Sequence, residues 1–208
     1  MDDKYHVILA SNSPRRKNLL SLLGFPFQVL PGGAEDGSGG DKSPRELVEH
    51  NSCVKARAVA DSYPEKWVLG ADTVVVHRDR VLGKPGDDTE ALEMLLQLSG
   101  ETHTVYTGVS LVNGKTGYRR TRHDATQVTF RDFSREEASA YISTGEPGDK
   151  AGAYGAQGAG SALIERIEGS HTNVVGLPLS LTVSMLKEAG VIEASSNRGT
   201  MYRLKNIL

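Results

Sequence analysis

Two adjacent arginines, Arg15 and Arg16, stand in the first turn of a helix that follows a short apolar strand, residues 7–10. Ser13 occupies the position expected for an N-cap and Pro14 suits the first helical position. Arginine here has the wrong sign for the helix dipole, which favours an anion. Free backbone N–H groups, the dipole and two guanidinium groups would together bind phosphate. An exposed arginine pair on an ordinary helix is the alternative.

A carboxylate inside an apolar strand is the second chemical feature. Residues 67–76 are apolar on both sides of Asp72 and Thr73, which is typical of a strand buried on both faces of a sheet. A buried carboxylate must be paired, hydrogen-bonded or bound to metal, because burying it bare costs several kcal/mol. The position therefore predicts a functional carboxylate, with an aspartate that braces neighbouring backbone as the alternative.

Further charged residues lie in loops or near the ends of elements. They are Glu35, Asp36, Lys55, Lys84 and the charged members of residues 149–157. Residues 145–160 include six glycines, so the backbone there can approach a ligand closely, and we interpret the segment as a binding loop rather than a linker. Cations together with carboxylates suit a polyphosphate with Mg²⁺ or Mn²⁺, because cations take the phosphate charge and acids hold the metal.

Composition excludes several classes of protein. The 208 residues carry a formal net charge of −2, which argues against nucleic acid or an anionic membrane as partner. No stretch approaches the roughly 18 apolar residues of a membrane span. The acidic start is not typical of a signal peptide, and Cys53 as the single cysteine fits a reducing cytoplasm. The scattered histidines argue against a zinc site.

Two nucleotide-binding motifs and one hydrolase motif are also absent. The chain has no Gly-x-x-x-x-Gly-Lys-Ser/Thr loop and no Gly-x-Gly-x-x-Gly after a strand, so P-loop and dinucleotide-binding enzymes are excluded. The chain also lacks the Gly-x-Ser-x-Gly elbow that is typical of serine hydrolases.

The elements that must position these residues alternate between apolar strands and capped helices. Capping boxes at Ser43 and Ser134 open two helices, Asp88 or Thr89 caps another, and Asn113-Gly114 is typical of a hairpin turn. The fold class predicted is α/β with a mixed twisted sheet. We expect one domain, residues 1–190, followed by a weakly patterned tail, residues 191–208.

Five blocks of the chain, in order, resemble the Maf family of nucleoside triphosphate pyrophosphatases. They are Leu9-Ala10-Ser11-Asn12-Ser13-Pro14-Arg15-Arg16, Gly70-Ala71-Asp72-Thr73-Val74-Val75, Leu82-Gly83-Lys84-Pro85, Ser99-Gly100-Glu101-Thr102-His103 with Thr107-Gly108-Val109, and Val174-Val175-Gly176-Leu177-Pro178-Leu179. The match runs from about Ile8 to Ala189. It implies an elongated mixed twisted sheet flanked by helices, with a cleft between two lobes, similar to inosine triphosphate pyrophosphatases.

The resemblance also implies an activity: hydrolysis of a nucleoside triphosphate to the monophosphate and pyrophosphate. Asp72 would ready the attacking water, and Arg16, Lys84 and Lys55 would hold phosphate. Glu35 and Asp36, together with Asp72, would bind a divalent metal cation, Mg²⁺ or Mn²⁺. We also expect Ser11, Ser13 and Lys150 to contact the phosphates or nucleotide. The resemblance further implies a homodimer, and the single cysteine predicts a cytoplasmic location.

The segment Lys150-Ala151-Gly152-Ala153-Tyr154-Gly155-Ala156-Gln157-Gly158 resembles the branch of the family that cleaves dTTP and UTP. By that resemblance Arg15, Thr73 and Gln157 would determine the substrate. The chemistry of Gln157 agrees, because its amide offers the donor and acceptor that match the N3–H and O4 edge of uracil or thymine.

Two positions depart from the family pattern. Asp36 stands where the family has Glu, and Val54 stands where it usually has Glu before the Lys-Ala pair. The alternatives to a dTTP/UTP pyrophosphatase are an enzyme for 7-methyl-GTP, CTP or a modified nucleotide, and a non-enzymatic regulator of septum formation. Nucleotide-pool cleaning and cell-division arrest are the candidate biological roles.

Overall fold

A computed structural model of the protein describes residues 5–33, 42–196 and 199–205. Its main sheet is mixed and has seven strands in the order β2-β1-β3-β5-β6-β7, with β4 paired to β3. Helices flank the sheet, which confirms the predicted fold class. The strands are β1 (Val7–Ala10), β2 (Gln28–Leu30), β3 (Trp67–His77), β4 (Arg80–Leu82), β5 (Thr102–Asn113), β6 (Tyr118–Phe130), β7 (Ile164–Glu168), β8 (Ile192–Ala194) and β9 (Tyr202–Leu204). The helices are α1 (Pro14–Ser21), α2 (Pro44–Ala60), α3 (Asp88–Leu98), α4 (Arg135–Ile142), α5 (His171–Val175) and α6 (Leu179–Glu188).

The chain forms two compact units. The first holds the residues up to Asp72, Thr107–His123 and the residues from Gly176 onward. Its strands β1 and β2 are parallel, and β1 is also parallel to β3, with Ala10 opposite Gly70. A core of buried aliphatic residues lies between these strands and α2: Ile8, Ala10, Ala56, Val59, Ala60, Val68 and Val112.

The second unit holds Thr73–Tyr106 and Asp124–Val175. Helix α3 packs against α4, and β6 pairs with β7 in antiparallel fashion. Its core contains three aromatic rings in edge contact, His103, Phe130 and Tyr154, whose centroids lie 4.7–5.2 Å apart. Leu95, Leu98 and further apolar side chains of α3 and α4 surround the rings.

The predicted helix starts are confirmed at three positions. The Ser13 side chain caps α1, where Pro14 is the first helical residue. Ser43 and Ser134 both form the reciprocal capping box, with Glu46 and Glu137 respectively. These starts could be predicted because a cap is a local interaction, made within four residues of the chain.

One predicted cap was wrong. Asp87, rather than Asp88 or Thr89, caps α3 by accepting a hydrogen bond from the Glu90 backbone N–H. The turn predicted at Asn113-Gly114 does connect β5 to β6, and the Asn113 side chain accepts there from the N–H and hydroxyl of Thr116. The weakly patterned segment after residue 190 forms an antiparallel pair, β8 and β9.

Within the part of the chain that the structure describes, no helix combines the length and apolar character that a membrane span requires.

Candidate active site

The loop between β1 and α1 is held by a series of short-range hydrogen bonds. The Ser11 N–H donates to the Leu30 carbonyl at 2.9 Å, and the Ser11 hydroxyl accepts from the Ser13 N–H at 3.1 Å. The Ser13 hydroxyl in turn accepts from the Arg16 N–H at 3.4 Å. Ser11 is buried and Ser13 half-buried. Both hydroxyls therefore shape the loop, and their contact with phosphate stays a prediction.

Arg16 is held by a residue far away in the sequence. Its Nε–H donates to the backbone carbonyl of Gly176 at 2.8 Å. Burial lowers the pKa of Arg16 below its usual value, while the negative charge of Asp72 raises it and the positive charge of Arg15 lowers it. The guanidinium remains charged at neutral pH. The structure thus places Arg16 within electrostatic reach of Asp72 in the first unit.

A surface groove of about 320 Å³ runs beside this loop. Residues of the loop and of α1 line one wall and the end of β2 lines the other: Ser11, Asn12, Ser13, Pro14, Lys17, Val29, Leu30 and Pro31. The volume lies at the lower end of the range for small-molecule sites. The predicted phosphate loop is therefore open to a ligand.

Two glycines let α2 approach the sheet closely. A Cβ atom built on Gly70 of β3 would lie 2.4 Å from the Ser52 carbonyl oxygen, and one on Gly108 would lie 2.1 Å from the Val48 carbonyl oxygen. Distances below 3.0 Å are incompatible with a side chain unless the backbone moves. The close approach brings the inner face of α2 against β3, next to Asp72.

Asp72 is bound at both carboxylate oxygens by side chains of α2. Its Oδ1 accepts from Lys55 Nζ at 2.5 Å and its Oδ2 accepts from Asn51 Nδ2 at 3.0 Å. Asp72 is 6% exposed and Asn51 5%. A buried carboxylate is stable here because it has both a counter-ion and a neutral donor. Lys55 thus forms an ion pair with Asp72, and its predicted contact with phosphate stays a prediction.

Asn51 was missed in the sequence. It lies four residues before Lys55 on α2, so both side chains project from the same helix face. That spacing, with a polar residue on the face that carries Lys55, was the available signal. The hydrogen bond orients the plane of the Asp72 carboxylate, which a single contact from Lys55 would leave free to rotate.

The described residues supply one of the three predicted metal ligands. Each carboxylate oxygen has two lone pairs, so Asp72 retains one acceptor site on each oxygen after binding Lys55 and Asn51. This donor chemistry fits a hard cation such as Mg²⁺. Glu35 and Asp36 lie outside the described residues. Among residues 5–33, 42–196 and 199–205, no group of three or more His, Cys, Asp or Glu side chains is placed to hold a metal ion.

In the second unit, Lys84 and the glycine-rich loop are tied together. The Gly152 N–H donates to the carbonyl of Gly83, the residue before Lys84, at 2.9 Å. Gly152 has a positive φ of 69° and its Cα faces Val75, where a Cβ would lie 3.1 Å from that side chain. The loop is not an extended linker, because residues 147–149, 151–153 and 158–163 form short 3₁₀ turns.

The predicted ligand-binding side chains of the second unit differ in exposure. Lys84 and Gln157 are exposed and Thr73 is half-buried, so the first two can meet a ligand without rearrangement. Lys150 instead makes internal contacts: Nζ donates to the Glu146 carbonyl and to Asp149 Oδ1. This geometry favours a structural role for Lys150, and its contact with nucleotide stays a prediction.

Tyr154 attaches the middle of this loop to the aromatic core. Its hydroxyl lies 2.7 Å from His103 Nε2, in a pair whose donor depends on the histidine tautomer. His103 is 2% exposed. Burial, reinforced by the nearby His77, lowers the pKa of His103 to about 3. His103 is therefore neutral throughout the physiological range and serves as a fixed attachment point for the loop.

This lowered pKa predicts a dependence of stability on pH. The unfolded histidine, with a pKa of 6.5, binds a proton that the folded one does not, so its contribution is full above pH 6.5 and is lost as the pH falls towards 3. We expect the free-energy advantage of the wild type over His103→Gln to shrink by about 2 kcal/mol between pH 7 and pH 5. Urea unfolding of both proteins measures it, and an unchanged difference would contradict a buried neutral His103.

The predicted residues thus form two groups, one in each unit. In the first unit Arg16, Lys55 and Asp72 form one group, and Arg15 precedes Arg16 in the first turn of α1. In the second unit Lys84 adjoins the loop that carries Lys150 and Gln157. Thr73 follows Asp72 directly in β3.

We compared the chain with families of known proteins. A family model described as Maf, Maf-like protein, matches residues 6–189. The chain belongs to the Maf family. The Maf match covers both groups of predicted site residues. It ends at Ala189, the residue that follows α6.

Two bacterial Maf relatives are similar over nearly their whole length. A dTTP/UTP pyrophosphatase of Syntrophus aciditrophicus (strain SB) is 48% identical over 192 residues, which cover 92% of this chain and 94% of that protein. A dTTP/UTP pyrophosphatase of Geobacillus sp. (strain WCH70) is 49% identical over 186 residues, covering 88% and 98% respectively. The Staphylococcus aureus Ham1 protein shares the fold, with a TM-score of 0.53 at 14% identity over 88% of this chain and 98% of its own.

Proposed function

We propose that this Maf protein hydrolyses dTTP and UTP to the monophosphate and pyrophosphate. The observation that carries the proposal is the buried Asp72, bound by Lys55 and Asn51 and near Arg16. A fixed carboxylate among cations suits the activation of water next to a polyphosphate. The names of the two relatives, at 48% and 49% identity, supply the substrate class.

In the reaction, a water oxygen bonds to the α-phosphorus as the bond from that phosphorus to the bridging oxygen breaks. Asp72 accepts a proton from the water, and pyrophosphate leaves with the electron pair of the broken bond. Negative charge builds on the phosphate oxygens, where fixed cations stabilise it without reorganising. We assign this task to Arg16 and Lys84. Lys55 orients Asp72 and adds its charge, while Ser11 and Ser13 shape the phosphate loop.

We assign the choice of base to Gln157, with Arg15 and Thr73 as further determinants. The exposed amide of Gln157 presents a donor and an acceptor to the O4 and N3–H edge that uracil and thymine share. Cytosine presents an amino donor and an N3 acceptor instead, so the same amide would have to turn over to bind it.

We also propose that a divalent cation, Mg²⁺ or Mn²⁺, is bound by Asp72 together with Glu35 and Asp36. When bound, it would neutralise phosphate charge and make the α-phosphorus more electrophilic. A homodimer in the cytoplasm completes the proposal. The family resemblance supports the dimer, and the single cysteine suits a reducing compartment.

The test is pyrophosphate release from a panel of triphosphates: dTTP, UTP, CTP, dATP and 7-methyl-GTP. We expect kcat/KM for dTTP and UTP to exceed that for the others at least tenfold in Mg²⁺ or Mn²⁺, and the activity to disappear on chelation and return with metal. Gln157→Glu, which replaces the donor by a second acceptor, should lower the UTP to CTP ratio of kcat/KM at least tenfold.

Gln127→Glu provides a matched control, because Gln127 is an exposed glutamine of β6 outside the predicted site. Preference for 7-methyl-GTP or CTP would replace the proposed substrate, and the absence of any turnover would favour the non-enzymatic alternative. Undiminished activity after chelation would overturn the proposed metal.

A further inference from the structure

Glu146, just after α4, is the centre of a hydrogen-bond network that holds the glycine-rich loop. We propose that Glu146 is a positioning residue that fixes the backbone on both sides of Gln157 and thereby sets the choice of base. The inference rests on the proposed function of Gln157 and extends it to a residue outside the predicted site.

The carboxylate of Glu146 binds the loop directly on the carboxyl side of Gln157. Its Oε2 accepts from the Ala159 N–H at 2.9 Å and its Oε1 accepts from the Gly160 N–H at 3.3 Å. Backbone N–H groups bind an ionised carboxylate more strongly than they bind a neutral acceptor. The 3₁₀ turn of residues 158–163 is therefore attached at its start.

On the amino side of Gln157, the connection runs through Tyr141 of α4. The Tyr141 hydroxyl donates to Glu146 Oε1 at 3.0 Å and accepts from the Gly155 N–H at 3.0 Å. Tyr141 is 6% exposed, so its hydroxyl is held by packing as well as by these two bonds. Gly155 and Ala159, two residues before and after Gln157, are thus connected to the same carboxylate.

The glycines of the loop are spaced to admit this carboxylate. A Cβ atom on Gly155 would lie 2.8 Å from Glu146 Oε1, and one on Gly158 would lie 2.7 Å from Oε2. A Cβ atom on Gly160 would lie 2.6 Å from the Tyr141 hydroxyl oxygen. A side chain at any of these three glycines would therefore displace the Glu146 carboxylate or the Tyr141 hydroxyl from its present position. This explains the glycine pattern by packing within the loop itself.

The Glu146 main chain adds a further connection, because its carbonyl accepts from Lys150 Nζ. Both the start of the loop and its far side are therefore joined to one residue. The Gln157 side chain stays exposed between them. A flexible loop would have to be ordered each time the Gln157 amide bonds to uracil or thymine, whereas a fixed backbone keeps the amide within reach of that edge and lowers this entropic cost. Cytosine, whose donor and acceptor are reversed, gains nothing from the ordered loop.

The experiment compares Glu146→Gln and Tyr141→Phe with the control Glu165→Gln, an exposed glutamate of β7 in the same unit. Amide hydrogen exchange of residues 150–160 measures the anchoring. The UTP to CTP ratio of kcat/KM measures base choice. We expect exchange at least tenfold faster and a ratio at least fivefold lower in both variants, with kcat/KM for CTP within twofold of wild type. Glu165→Gln should match wild type in both measurements.

Unchanged amide hydrogen exchange in Glu146→Gln and Tyr141→Phe would overturn the anchoring. An equal fall of kcat/KM for UTP and CTP would show that Glu146 stabilises the fold without affecting the choice of base. Tyr141→Phe keeps the ring in place, so it decides the matter if Glu146→Gln does not fold. A wild-type protein that prefers another base would instead contradict the proposed function. The amide exchange rates, together with the ratio of kcat/KM for the preferred triphosphate to that for a disfavoured one, would then still decide the role of Glu146.

Discussion

Asp72→Asn is expected to lower kcat/KM for dTTP about a thousandfold or more while the protein remains folded. The substitution keeps the shape of the side chain but removes the group that accepts a proton from water, and general-base catalysis is typically worth two to four orders of magnitude. It also removes the negative charge that lies 2.5 Å from Lys55 Nζ. We expect a loss of stability of about 2 kcal/mol from the broken ion pair.

Pyrophosphate release and thermal unfolding measure the two effects separately. Asp61→Asn is the matched control, because Asp61 is an exposed aspartate just after α2 and should change neither. Asn51→Ala is a second variant that keeps the carboxylate and removes only its orienting bond, with an expected loss of about tenfold in kcat. More than a tenth of wild-type activity in folded Asp72→Asn would show that another group activates the water.

Arg16→Lys is expected to lower kcat/KM about a hundredfold although the charge is kept. Arginine donates from Nε to the Gly176 carbonyl at 2.8 Å and retains its terminal N–H groups for other partners. Lysine has a single ammonium group, which cannot occupy the position of Nε and those of the terminal nitrogens together. Removal of one preorganised donor from a site of developing charge typically costs two to three orders of magnitude.

The kinetic split gives the role of Arg16. A fall mainly in kcat indicates charge stabilisation in the transition state, whereas a rise in KM alone would indicate ground-state binding and contradict the assignment. Arg119→Lys makes the same change at an exposed arginine of β6 outside the predicted site and serves as the control, with activity within twofold of wild type.

The hydrogen bonds around Glu146 resemble those that Asp72 makes with Lys55 and Asn51. In each, at least two donors bind one carboxylate and fix an orientation: that of the proposed proton acceptor Asp72 in the first unit, and that of the loop that carries Gln157 in the second. Such networks preorganise a site because their hydrogen bonds are already formed before substrate arrives. Substitution of a supporting residue, such as Asn51 or Glu146, should therefore change the rate or the selectivity although Asp72 and Gln157 themselves are unchanged.

Local chemistry explains which parts of the fold were predictable. The caps at Ser13, Ser43 and Ser134 join residues three positions apart, and the apolar run around Asp72 is itself the sign of a buried strand. The order of the motifs also led to the correct family. The pairing of β8 with β9 was not predictable, because three residues are too few for an alternation to indicate a strand, and the pair is held by contacts between its strands and with α6.

The sequence by itself determined the mixed α/β class and the family, and it supplied the candidate residues for the chemistry. The tertiary structure decided which atoms meet: Asn51 with Asp72 across 21 residues of chain, and Arg16 with Gly176 across 160. These contacts depend on how closely α2 docks at Gly70 and on where the chain returns, neither of which leaves a periodic pattern. Hydrophobic periodicity specifies which face of an element is buried, whereas hydrogen-bond partners across the fold follow from packing at the scale of single atoms.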